Sequence, residues 1–234
     1  MPFGFFYVDY WYIVLVLPAV ILALWAQWNV NNTFSKYSSI PTHPGMTGRE
    51  AAQLVLDRHG LHHVRIEQVH GNLTDHFDPR TNVIRLSDAV YHSNSAAAVG
   101  VAAHEAGHAV QYATGYVPMK LRAAIIPATN IGSNLALPLI LLGIIFAIPA
   151  LAFAGVIAFS LSTLFQLITL PVEFNASRRA MEVIGTCGRF HEEEQRAARK
   201  VLTAAAMTYL AALAVSLANL LRLLVIVGGA RRRD

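Results

Sequence analysis

Between Arg122 and Glu173 the chain reads AAIIPATNIGSNLALPLILLGIIFAIPALAFAGVIAFSLSTLFQLITLPV, residues 123–172, without a single Asp, Glu, Lys or Arg. One helical membrane crossing takes about 20 residues, so this run is too long for one span and fits a hairpin of two. Pro149 is placed to make the turn and Pro138 to kink the first arm. The rest of the composition agrees. Soluble domains carry about 25% charged residues, whereas this chain of 234 residues has 14% charged and 55% hydrophobic, with a mean hydropathy of +0.44. The chain reads as an integral membrane protein.

Working outward, two more apolar runs flank the hairpin. Trp11 to Trp28 has the length of a span and tryptophans at both ends, where interfaces would lie. No basic segment precedes it and no clear cleavage site follows, so an uncleaved anchor is expected rather than a signal peptide. Val201 to Val227 is the other, followed by Arg231-Arg232-Arg233-Asp234. Arg222 inside it is read as snorkelling to an interface in preference to facing the bundle. The sum is about four transmembrane helices.

The stretch from Asn29 to Pro118 is polar and holds most of the histidines. Asn31 to Pro44 reads as a linker. Thr47-Gly48-Arg49-Glu50 fits a capping box opening a helix that ends at Gly60. Val64 to Val69 alternates like a half-buried strand. Asp75 to Arg80 makes a turn, and Asn82 to Leu86 a second short strand. A helix of alanine, valine and glycine follows, capped near Ser93 or Ser95 and running to about Thr114. These readings divide the chain into an anchor at 1–28, a small α+β domain at 29–122, the hairpin at 123–172, a charged segment at 173–200 and a last span with its tail at 201–234. The fold class is that of a mainly α integral membrane protein with a small α+β domain, which the motif below makes zincin-like.

The helix before Gly115 carries His104-Glu105-Ala106-Gly107-His108. Residues i and i+4 share one face of a helix, so both imidazoles can reach one metal ion. Glu105 is turned about 100° from His104, close enough to hold a proton without ligating. Two nitrogen donors with a carboxylate favour zinc, and this arrangement activates a water for hydrolysis. A catalytic zinc keeps three protein ligands. Glu173 is the leading candidate for the third, at the start of a helix where the second hairpin arm reaches the surface. Glu182 follows, then His191 and Glu192 to Glu194.

Other chemistry is weaker. His62, His63, His70 and His76 read as solvated loop histidines in preference to a second metal site. Asp75 and Asp78 before Pro79 read as a turn in preference to a calcium site. His92 and His191 are both open as stabilisers of an oxyanion. The single cysteine, Cys187, excludes an intrachain disulfide and a thiolate-rich site. The net charge of +4 does not organise into a nucleic-acid face, and the basic residues read as topology signals.

Several strings carry a resemblance. They are Leu73-Thr74-Asp75-His76-Phe77-Asp78-Pro79-Arg80, Leu86-Ser87, Gly100-Val101-Ala102-Ala103-His104-Glu105-Ala106-Gly107-His108-Ala109, and Glu173-Phe174-Asn175-Ala176-Ser177-Arg178-Arg179-Ala180. Together they resemble bacterial membrane-bound neutral zinc metallopeptidases of the YugP type, over nearly the whole chain. The order of HExxH, hairpin and glutamate is also similar to HtpX-type peptidases. The resemblance implies a gluzincin with His104, His108 and Glu173 on Zn2+ and Glu105 as base. HtpX-type enzymes carry Asp at the position of Ser177, and a hydroxyl there would orient a ligand imidazole more weakly than a carboxylate.

The expected activity is therefore cleavage of a protein or peptide substrate, membrane-associated, by a zinc-dependent endopeptidase anchored in the lipid bilayer and cutting at its surface. Strand Asn82 to Leu86 is expected to be a sheet edge that takes the substrate as an added strand. Two rivals are a membrane scaffold with a structural zinc and, more remotely, an intramembrane site-2-type protease. The HExxH segment and Glu173 flank a hairpin and so share one side of the membrane. That side holds about 14 of the 18 Lys and Arg residues, which places the site in the cytoplasm and the N-terminus outside. The triple arginine tail then falls on the outer side if the last helix spans.

Overall fold

The computed structural model describes residues 9–43, 45–71 and 74–230; the arginine tail at 231–233, and Leu73 of the string quoted above, lie outside the described residues. Helix α1 (Leu17–Ser38) is entered through a π-helical turn at Tyr12–Val16. Then come α2 (Gly48–Arg58), β1 (Arg65–Val69), β2 (His76–Asp78), β3 (Val83–Ser87), α3 (Asp88–Tyr91) and α4 (Ala96–Ala113). Three long helices complete the chain: α5 (Val117–Ile145), α6 (Pro149–Thr186) and α7 (Glu192–Ala230).

Among the described residues, four helices are long and apolar enough to cross a membrane: Tyr12–Ser38, Val117–Ile145, Pro149–Thr186 and Glu192–Gly229. Only 17–22% of each apolar window is buried, so most of their Leu, Ile and Phe side chains face outward. Water would not tolerate an apolar surface of that size, whereas lipid matches it. The protein is a mainly helical membrane protein with a small α+β part.

The chain divides into two compact units. One takes residues 9–26, Leu121–Leu170 and 208–230. Here glycines let helices touch backbone to backbone, as packing between spans requires when lipid is as apolar as the side chains. A Cβ on Gly143 would lie 2.3 Å from Ala152 N, and one on Gly132 would lie 2.7 Å from Ala158 O. Ser133 and Ser162 hydroxyls pair at 2.6 Å, and Thr163 with Ser216 at 2.8 Å. The hairpin turn is Phe146 to Ile148, with Ala147 at φ 52°, and Pro149 opens the second arm. Arg222 does not snorkel away: its Nε donates to Asp9 Oδ2 at 2.9 Å, its Nη2 reaches the same oxygen, and its guanidinium lies over Tyr12. A charge on a span is cheapest when paired, and Asp9 supplies that partner from the N-terminal end of the same unit.

The other unit takes Gln27–Lys120 and Pro171–Met207. The Thr47–Glu50 capping box forms with both hydrogen bonds, and α2 buries Ala51, Ala52, Val55 and Leu56. Gly60 leaves the helix at φ +68°, a conformation that costs a glycine little. The sheet order is β1-β3-β2, with β1 parallel and β2 antiparallel to β3. Ile84 and Leu86 of β3 join Val90, Val99 and Val110 in the core, on which Ile184 and Leu202 also pack.

Several sequence expectations need correction. The strand at 82–86 is not a sheet edge, because β3 is paired on both sides: Val83 to Arg85 face β2 and Arg65 to Val69 run along the other flank. Its burial is the reason, since a strand with four of five residues buried fits the centre of a sheet. No substrate strand can add along it. The linker begins later than Asn31, because α1 continues to Ser38. Glu173 does not start a helix: α6 passes through Pro171 without a break. Proline removes one helical hydrogen bond, a loss tolerated where neighbouring groups take up the freed backbone. Likewise α7 begins at Glu192, well before Val201. The loss of hydrophobicity marks where these helices change surroundings and does not mark where they end.

Candidate metal centre

Helix α4 is built to be buried. Ser95 caps it, its hydroxyl accepting from Ala98 N–H at 3.2 Å, and Gly115 at φ +65° follows its end. Between these, alanines and glycines let other helices approach closely. A Cβ on Gly107, inside HEAGH, would stand 2.6 Å from the Ala176 carbonyl oxygen. Even alanine there would push α4 from α6, so the small residue inside the motif has a packing cause.

That approach brings His104 and His108 to Glu173, whose side chain is 4% exposed. Nε2 of His104 lies 3.2 Å and Nε2 of His108 3.5 Å from the same oxygen, Glu173 Oε2. The imidazole rings are 4.7 Å apart and nearly perpendicular. Donor atoms of all three side chains lie within 4.8 Å of one another, so the group can hold a metal ion. Zinc bonds of about 2.0–2.1 Å in tetrahedral array put neighbouring ligand atoms about 3.3–3.4 Å apart, which matches the two separations. The other ring nitrogens point elsewhere: His104 Nδ1 lies 3.0 Å from Ser177 Oγ, and His108 Nδ1 3.0 Å from Gln111 Oε1. Both Nε2 atoms therefore aim at one buried carboxylate oxygen, an arrangement satisfied by protons on the rings or by a cation held among the three groups. Burial alone would disfavour a charged His108, yet the Glu173 carboxylate overrides it and raises the imidazole above its ordinary value. A zinc ion meets the same demand, and the donor set fits it.

Glu105 is half-buried on the same helix, and its charge is felt by both His108 and Asp75. Asp75 accepts from Ser87 N–H at 2.7 Å and from Ser87 Oγ–H at 2.9 Å, tying the segment before β2 to the end of β3. Burial raises its carboxyl above the ordinary carboxylate value; Glu105 adds to this, while the two Ser87 bonds pull against it. A cleft of about 480 Å³ opens between α6 and α7 with Ser177 in its wall, lined by Phe174, Met181 and Leu202 and by Arg178 and Arg199.

The other candidates are placed elsewhere. Glu182 is exposed in the wall of that cleft. His191 lies edge-on to His43, and Glu194 accepts from the backbone N–H of His191 and of His43. Glu192 pairs with Arg196 on the surface and Glu193 is exposed. His92 lies edge-on to Tyr91. His62 and His70 face Asp57 and Asp88 in solvent, and His76 faces the Thr74 carbonyl. Asp78 makes a turn, accepting from Arg80 N–H and Thr81 Oγ–H; these bonds, with Arg85 beside it, pull its carboxyl down to about 2. Among the described residues, only His104, His108 and Glu173 form a group able to hold a metal.

Sequence reasoning missed Gln111, Asn175 and Arg179, which lie behind the donors. Gln111 is three residues past His108, hence on the same face of α4. That spacing was the available signal, and Asn175 and Arg179 stood inside a string already quoted for its resemblance.

With fold and geometry in view, comparison with known proteins is decisive about class. Residues 12–228 match the family described as "Putative neutral zinc metallopeptidase", and the chain belongs to that family. It is similar to "Putative membrane protease YugP" of Bacillus subtilis (strain 168), with 46% identity over 215 residues, 92% of this chain and 96% of that protein. No solved structure matches the chain. The family implies zinc, and a protein or peptide as substrate.

Proposed function

We propose that this chain is a membrane-anchored zinc endopeptidase of gluzincin type, with His104, His108 and Glu173 as ligands and Glu105 as general base. The observation that carries this is the convergence of both Nε2 atoms on one oxygen of Glu173, at separations suited to a tetrahedral ion. When bound, zinc would supply an acidified water and an electrophile for the scissile carbonyl. Glu105 takes a proton from the attacking water and returns it to the leaving amine nitrogen, as general base and then general acid. Ser177 holds the ring of His104 by its Nδ1 and leaves Nε2 for the ion. Three donors, where a structural zinc is closed by four, favour an open catalytic position. HExxH stands on α4, which is outside the four candidate spans, and this favours a site at the membrane face over one within a span.

Purified in detergent, the protein is expected to carry about one zinc per chain and to cleave casein or its own chain. Removal of metal by a chelator should stop cleavage, and added zinc should restore it. A chain that holds no zinc, or cleaves equally well without it, would end this reading.

The site is further proposed to face the cytoplasm of the cell membrane, where membrane-associated proteins would be its substrates. Support comes from the basic residues around α2 to α4 and around the turn joining α6 to α7, following the positive-inside rule. Cys187 is the chain's one cysteine, half-buried in that turn. A membrane-impermeant maleimide should label it after permeabilisation and leave it unlabelled in intact cells. Labelling in intact cells would invert the orientation.

A further inference from the structure

Three polar side chains behind the metal group form one continuous chain of hydrogen bonds. Arg179 Nε donates to Asn175 Oδ1 at 2.8 Å. Gln111 Nε2 donates to that same oxygen at 3.0 Å and to the Val172 carbonyl at 2.7 Å. Gln111 Oε1 lies 3.0 Å from His108 Nδ1. Gln111 is 0% exposed and Asn175 6%, so little water competes with these bonds.

Resting on the zinc-peptidase reading, we propose that Arg179, Asn175 and Gln111 are positioning residues that fix His108 as its Nδ1–H tautomer. A side-chain amide can ordinarily be turned over, exchanging oxygen for nitrogen. Here each turn is forbidden in sequence. A guanidinium has donors only and keeps its charge at any pH a protein meets, so Asn175 must present its oxygen to Arg179. Gln111 must then present its NH2 group to Asn175. The Val172 carbonyl can only accept, and it demands the same orientation independently. Gln111 is left with its oxygen facing the imidazole, and an oxygen without a hydrogen can only accept. The ring proton of neutral His108 therefore sits on Nδ1, and Nε2 keeps its lone pair for the ion. The polarity of the chain is set by a charge on α6 and delivered to a ligand on α4.

The same bonds fix how the two helices face each other. Residues 172, 175 and 179 of α6 are spaced three and four apart and so lie on one face. One buried amide from α4 satisfies two of them, and a sliding of either helix would leave its donors without acceptors. Unpaired buried donors are costly, so the register is held on both helices at once.

The test is the zinc affinity of the detergent-purified protein, stripped of metal and titrated against a chromogenic chelator. Gln111→Met keeps the length of the side chain and removes its amide; affinity should fall by about 10–100-fold, the usual effect of losing a ligand's outer partner. The helical circular dichroism and melting temperature of the metal-free protein should change little by comparison. Asn175→Asp keeps the accepting oxygens and should bind zinc as the wild type does, whereas Asn175→Leu should weaken it. Wild-type affinity in Gln111→Met overturns the proposal. If that variant does not fold, equal affinities in the two Asn175 variants overturn it instead. Glu173→Ala measured alongside separates the two readings: unchanged affinity there would remove the metal site itself, while its loss beside an unaffected Gln111→Met removes only the relay.

Discussion

Glu105→Gln should bind zinc as tightly as the wild type and cleave casein about 10²–10⁴ times more slowly. The substitution keeps the shape and hydrogen-bonding reach of the side chain and removes its ability to hold a proton. Glu105 is outside the donor group, so the ion should not notice the change. Glu105 is half-buried on the same helix and its charge acts on His108, which is what the proposed base role rests on. The measurement is metal content and cleavage rate on the same preparation. Retained cleavage would remove Glu105 as the base, and lost zinc would mean that it ligates.

Glu173→Ala should lose zinc and cleavage together. With the carboxylate gone, two imidazoles from one helix remain, without the donor that α6 contributes. The affinity loss should exceed the roughly 100-fold ceiling seen for partners one step removed from a metal. Cleavage should fall to the level of the chelated wild type. The metal-free variant should still fold, because the carboxylate's removal also relieves a buried charge whose burial is costly. Glu173→Gln makes a useful companion: it keeps the volume and one accepting oxygen, yet offers no negative charge to a cation. Zinc retained at full occupancy in Glu173→Ala would transfer the third position to another residue, with Glu182 as the nearest candidate along α6.

Much of this was legible in the chain because the signals are local. A capping box needs four residues, and Thr47 and Glu50 formed theirs. An uncharged run announces spans by composition alone. HExxH states its own geometry, since a helix fixes the offset of His104 from His108. What failed depended on pairing at a distance. Whether residues 82–86 lie at an edge or in the middle of a sheet depends on β1 and β2, and three residues of β2 carry almost no pattern of their own. The continuity of α6 through Pro171 was hidden because proline ordinarily argues for a boundary. Gln111 carried only its spacing from His108 as a signal, for a related reason. A single buried glutamine looks like any other until its two acceptors, sixty-odd residues away on α6, are brought against it.

The unbroken course of α6 has a consequence for when the metal group can form. The helix Pro149–Thr186 carries both the second arm of the hairpin and Glu173. Sixty-five residues separate His108 from Glu173 in the sequence. A ribosome adding about 5–20 residues each second needs roughly 3–13 s to make them. Throughout that interval the nascent chain holds His104, Glu105 and His108 without Glu173. An excised fragment of residues 29–122 lacks it too, whatever its solubility. On the proposed reading, chain order itself delays the metal group, which can close only after the hairpin and Glu173 have been made.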